Sequence, residues 1–200
     1  MPEGGTVPDA DPFAPGDHVC WIYTDDDQYL PGLAGFVAGG LDRGQRVVCL
    51  VGALTPVALS VALSAGGGTV PGALAGGALR ILAAREVYLP DGRFDPVRTI
   101  DQLAVAIDDA LRDGYSGLRV LGDMAWAAAD PPGIGQLPWY EARLNRLFVD
   151  RPVTAVCLYD RRRFRPELLH RVAAAHPVPL PRRPWAGLSD HAPLAAEIQL

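Results

Sequence analysis

Five apolar, strand-like runs alternate with amphipathic segments along this chain, and that alternation limits the folds open to it. The runs are "HVCWIY" (18–23), "QRVVCLVG" (45–52), "LRILAARE" (79–86), "LRVLGDMAW" (118–126) and "VTAVCLYD" (153–160). They are near-continuous in apolar character, the mark of strands buried on both faces. Helical segments lie between them. Leu33, Phe36, Val37 and Leu41 recur at helical spacing ahead of Gly44, a helix stop. Residues 55–67 open with Thr55 as N-cap and Pro56 at the first helical position. Residues 95–114 set Ile100, Leu103, Ile107 and Leu111 on one face, and 138–148 and 165–176 complete the set. Alternating strands and helices predict an α/β fold: a mostly parallel central sheet of about five or more strands, with helices on both faces.

Two hundred residues suit one domain with tails. Residues 1–15 read as a flexible N-terminal tail, 16–180 as the folded domain and 181–200 as a Pro-rich C-terminal tail. The chain opens with no basic start and apolar core segment, and no apolar stretch of roughly 18 residues is free of helix breakers. A cytoplasmic protein without a membrane span is expected. Cys20, Cys49 and Cys157 each sit in an apolar run, and an odd count without paired spacing argues for reduced, inaccessible thiols. With a net charge of −5 and no basic stripe, direct nucleic-acid contact is not expected. The "RRRFR" run (161–165) reads as a solvated loop, with docking of an acidic partner or an anionic ligand as the alternative.

Open α/β sheets bind ligands at the carboxyl ends of their strands. Those ends are Tyr23 to Asp27, Gly52 to Thr55, Asp123 to Trp126 and Tyr159 to Arg163. The fourth run ends in an acid, Asp123, where the magnesium-binding strand of a P-loop ATPase would end. A P-loop also needs a Gly-rich G-x-x-x-x-G-K-[ST] turn. Here the first strand runs into "TDDDQYLPG", and all eighteen basic residues are Arg, with no Lys. Asp25, Asp26 and Asp27 would repel a polyphosphate. They suit a helix N-terminus, where acids complement the dipole, or alternatively a divalent cation. Tight ATP binding and ATP hydrolysis are not expected.

Seven blocks follow one another in a familiar order: "DHVCWIY", "FVAGGLDRGQRVVCLV", "YLPDGRFDP", "GYSGLRVLGDMAWA", "YEARLN", "CLYDRRRF" and the "HP" at 176–177. With these blocks, residues 16 to 180 resemble the MEDS family, the sensory domain named for methanogens, methylotrophs and the dichloromethane-responsive regulator. The resemblance implies a degenerate RecA/KaiC-like fold without a working Walker A motif. It also implies a role in transcription-related signalling, since such domains occur attached to DNA-binding or anti-sigma kinase modules. This chain has no room for either, so a stand-alone module is expected, with output through a separate regulatory protein or through self-association as a homo-oligomer. Asp123 stands where the family more often has Glu, and Leu158 where it often has Gln.

The candidate ligand-binding residues are His18, Cys20, Tyr23, Asp123, Met124, Trp126, Glu141, Asn145 and Tyr159, for a small apolar molecule. No cofactor, metal or catalytic residue is assigned. His18 and Cys20 are spaced i, i+2 and share one strand face. Two ligands do not make a structural zinc site. Cys157 and His176 complete one only if the fold brings them together; otherwise these are buried thiols beside a hydrogen-bonded histidine. Asp123, Met124 and Trp126 form either a pocket wall or a capping carboxylate with core side chains. Glu141 and Asn145, spaced i, i+4, can address one partner together. Tyr159 ends the fifth strand beside the same crevice. The alternatives are an enzyme acting on a small substrate through a Cys20/His18 or Asp123/Glu141 pair, and a metal-binding or purely protein-interaction regulator.

Overall fold

The structure, a computed structural model, describes residues 13–65 and 68–177. The expected C-terminal tail (181–200) and residues 1–12 of the expected N-terminal tail lie outside the described residues. Phe13, inside the expected tail, is buried and packs edge-on against Phe36.

Five strands form one all-parallel sheet: β1 (His18–Tyr23), β2 (Arg46–Val51), β3 (Leu79–Ala83), β4 (Leu118–Asp123) and β5 (Val153–Asp160). Their spatial order is β1-β5-β4-β2-β3. Every residue of β4 and β5 is buried, as continuous apolar runs require of inner strands covered on both faces. The third run is shorter than the sequence suggests. β3 stops at Ala83, and "AREVY" turns into a short helix, α4 (Ala84–Tyr88). The fourth run likewise ends at Asp123, and Met124–Ala129 form a 3₁₀-helix.

The other helices follow local signals. In α1 (Asp26–Asp42) Asp25 is the N-cap, accepting from the Asp27 amide at 3.0 Å, and Asp26 and Asp27 fill the first turn. Beyond its end Gly44 turns the chain at φ +68°, a conformation glycine adopts without strain. Thr55 caps α2 (Pro56–Ala65) through its hydroxyl, which accepts from the Ala58 amide at 3.1 Å. A short α3 (Val70–Ala75) follows. Asp95 caps α5 (Pro96–Arg112) at two amides, both 3.1 Å, and its Pro96 occupies the first turn. Next come α6 (Leu137–Phe148) and α7 (Pro166–Ala175).

Alternation along each strand sorts the core into two layers. Val19, Trp21, Tyr23, Leu121, Val156 and Leu158 pack with α1 and α2 residues. Cys20, Val120, Cys157 and Tyr159 pack with α4, α5, α6 and α7. The second layer holds most of the candidate residues.

Candidate functional site

His18, Glu141, Cys157 and His176 converge in the second layer, and all four are buried. β1 supplies His18 and β5 supplies Cys157; α6 lies over them with Glu141, and His176 follows the last residue of α7. Glu141 Oε2 stands 3.3 Å from His18 Nε2, 3.5 Å from Cys157 Sγ and 3.6 Å from His176 Nε2. Cys157 Sγ is 3.6 Å from His18 Nε2. The two imidazoles lie 4.0 Å apart, centroid to centroid, and Phe148 closes one side edge-on to His18.

The surrounding hydrogen bonds fix which atoms meet. Asn145 Nδ2 donates to the Ala175 carbonyl at 2.7 Å, so its Oδ1 faces His18. That oxygen can only accept, which places a proton on His18 Nδ1, 2.7 Å away, and turns Nε2 toward Glu141. His176 repeats the pattern: Nδ1 donates to the Val172 carbonyl at 2.7 Å, and the buried Nε2 has no hydrogen-bond partner. Tyr159 donates its hydroxyl to Glu141 Oε1. Glu141 and Asn145, one turn apart on α6, thus both address His18, as their spacing allows.

Burial would push the Glu141 carboxyl up, but the two imidazoles and the Tyr159 hydroxyl outweigh it and hold it below its usual range. Burial drives His176 down to about 4, so its imidazole is neutral at pH 7. Burial and the nearby Glu141 carboxylate push both Cys20 and Cys157 up, which favours their protonated thiols.

An aromatic group adjoins this polar set. Trp126 stacks on Tyr88, with centroids 4.8 Å apart and planes 18° from parallel. Phe94 lies 4.9 Å from Trp126, and Tyr140 meets Phe94 edge-on at 5.4 Å. Tyr140 directly precedes Glu141 on α6, so one helix lines both parts. Gly122 makes room for the Tyr88 hydroxyl, which would lie 2.8 Å from a Cβ at that position. The Trp126 Nε1 is buried without a hydrogen-bond partner.

The nine candidate residues do not form one site. His18, Cys20, Glu141, Asn145 and Tyr159 come together, with Trp126 and Met124 in the same layer. Tyr23 and Asp123 lie in the other layer, which corrects their grouping with Glu141 and Trp126 around a single crevice. The physical reason is strand parity: Cys20 and Tyr23 are three apart, so they leave the sheet on opposite faces. Asp123 accepts four hydrogen bonds from the protein, from Tyr29 Oη (2.8 Å) and from the amides of Gly52 (3.1 Å), Ala53 (2.7 Å) and Ala125 (2.9 Å). It caps the 3₁₀-helix and ties the end of β2 to α1. An Asp123/Glu141 carboxylate pair is not assembled, because the sheet separates them.

The sequence singles out His176 only as a possible fourth ligand and within the terminal "HP" block, while Tyr88, Phe94 and Tyr140 fall inside the "YLPDGRFDP" and "YEARLN" blocks without a site role of their own. In "RRRFR", Arg162 pairs with Asp160 and Asp26, Phe164 is buried edge-on to Tyr159, and Arg161, Arg163 and Arg165 are exposed. All three cysteines are buried, and none is in a disulfide.

The sequence profile of the family described as "MEthanogen/methylotroph, DcmR Sensory domain" matches residues 17–177. The chain belongs to the MEDS family. The match spans all five strands and ends one residue past His176, so a MEDS domain contains the whole polar set. Among solved structures, the flagellar accessory protein FlaH from Methanocaldococcus jannaschii is similar in fold, with a TM-score of 0.60 at 10% sequence identity. The likeness covers 83% of this chain and 70% of that chain. It supports the α/β architecture expected of a RecA-like domain and says nothing of chemistry. No curated protein matches the chain. Among the described residues, no helix is long and apolar enough to cross a membrane.

Proposed function

We propose that this MEDS domain receives a small, chiefly apolar molecule in the layer beneath α4, α6 and α7, and passes the event to a separate regulatory protein in transcription-related signalling, without hydrolysing ATP. Membership of a sensory family supports the general role. The observation that carries the ligand class is Trp126: its indole lies in an aromatic group with Tyr88, Phe94 and Tyr140, and its buried N–H has no partner. Apolar walls with one unused donor suit a small molecule bearing a single acceptor.

The residues of the site are buried, so entry requires an element to move. A ligand that binds only an opened arrangement shifts the population toward it, which is the physical requirement for a sensor. α7 is the natural mover, since His176 and the Asn145–Ala175 bond fasten its end over the site.

Absence of ATP chemistry rests on the β1–α1 junction. Only Thr24 and Asp25 separate strand from helix, and Asp25 itself occupies the N-cap that a phosphate would need. No catalytic residue is assigned, because burial keeps the thiols protonated.

The test is tryptophan fluorescence during titration with a small apolar probe such as benzene, for the parent and for Trp126→Phe. A saturable change that disappears in the variant supports the reading. Saturable binding that leaves the Trp126 signal unchanged places the ligand elsewhere.

A further inference from the structure

Three acceptor-type atoms meet in the polar set with too few protons to satisfy them. Glu141 Oε2, His18 Nε2 and His176 Nε2 face one another, and only the Cys157 thiol brings a proton of its own. One added proton could join His18 to Glu141 at 3.3 Å, but His176 Nε2 would still have no partner. A buried acceptor left so is costly. A cation at the centre satisfies all four donors at once.

The spacing has the size of a metal's coordination sphere. Ligands about 2.0–2.3 Å from a tetrahedral zinc ion are separated by roughly 3.3–3.7 Å along the edges. Four separations here are 3.3, 3.5, 3.6 and 3.6 Å, and all the donor atoms lie within 4.8 Å of one another. The outer contacts also fit. Metal-bound histidines characteristically donate their second ring N–H to a carbonyl or carboxylate, and ligating carboxylates are themselves hydrogen-bonded. His18 donates to Asn145, His176 to Val172, and Glu141 accepts from Tyr159.

We infer that His18 Nε2, Glu141 Oε2, Cys157 Sγ and His176 Nε2 form a tetrahedral site for a divalent first-row transition ion, zinc being the best match to two imidazoles, one carboxylate and one thiolate. On binding, Cys157 gives up its proton to solvent and the sulfur bonds the metal, so one proton leaves per ion. All four positions are filled by protein. The ion therefore acts as a clasp that fastens the end of α7 to β1, β5 and α6. The inference stands on the donor geometry and does not require the small-molecule reading.

The experiment measures metal content of the whole purified protein, then strips it with a chelator and titrates cobalt(II). The expected result is one equivalent of zinc per chain. Cobalt should give the intense visible bands of a tetrahedral centre together with a thiolate-to-cobalt charge-transfer band. Cys157→Ser should abolish the charge-transfer band, and His176→Ala should weaken cobalt binding at least tenfold. Cys49→Ala, a buried thiol in the other layer, should leave both unchanged. A folded, stripped protein that takes up neither ion overturns the inference, as does a weak octahedral cobalt spectrum without the thiolate band. Should the variants not fold, the cobalt spectrum of the unmodified protein alone decides. Failure here leaves the benzene response of Trp126 intact, so the two ideas fall separately.

Discussion

Tyr159 donates its hydroxyl to one oxygen of Glu141 and so assigns the other to His18, Cys157 and His176. One strand residue thereby decides how a helix residue presents its charge. Tyr159→Phe removes that donor and leaves Glu141 Oε1 buried without it. A hydrogen bond to a charged group is worth about 1.5–3 kcal/mol. Urea denaturation of the metal-free protein should show a loss of that size, with the slope of the transition unchanged.

Asp123 carries architecture. Asp123→Ala strips four hydrogen bonds from β2, α1 and the 3₁₀-helix. The expected cost is on the order of 3 kcal/mol or more. Benzene affinity of whatever fraction stays folded should be unchanged. Measuring both on one preparation separates support from contact; a stable variant with lost affinity would reverse the assignment.

Cys49 makes the domain sensitive to alkali. Burial alone pushes its thiol up to about 12 from an ordinary 9, so between those values the unfolded chain has released a proton that the folded chain retains. The folded state then binds more protons, and stability falls as pH rises through that window. Three units correspond to about 4 kcal/mol at the upper end. Denaturation midpoints of parent and Cys49→Ala from pH 8 upward should therefore converge, the parent losing stability faster by one proton's worth of slope. Parallel curves would contradict this.

ATP should not bind tightly. The two-residue β1–α1 junction, its capping Asp25 and the absence of lysine leave no phosphate cradle at that junction. Calorimetry with magnesium present should detect no micromolar binding, and a phosphate-release assay no turnover.

The fold was legible because its signals are local. Thr55–Pro56 and Asp95–Pro96 announce their helices by capping chemistry, and β4 and β5 announce burial by continuous apolar runs. The end of β3 was not legible: "AARE" contains no breaker, and residue type alone does not separate a strand's last turn from a helix's first. For the site, i, i+2 and i, i+4 spacing paired His18 with Cys20 and Glu141 with Asn145. Parity within β1 could already have separated Tyr23 from Cys20. What spacing could not supply is register between distant elements. His176 is 158 positions beyond His18, and only the docking of α7 on α6 brings the two rings to 4.0 Å.

If the buried polar set fastens α7, an ion held there slows the opening of that helix and lets a binding event be felt at the surface. Amide hydrogen exchange on chelator-stripped protein, with and without one equivalent of zinc, tests it most directly. Slower exchange is expected along Pro166–Ala175 and at the start of β1 when zinc is added, with α2 and α3 unaffected. Uptake of zinc without any change in α7, or a uniform change across the whole domain, would contradict it.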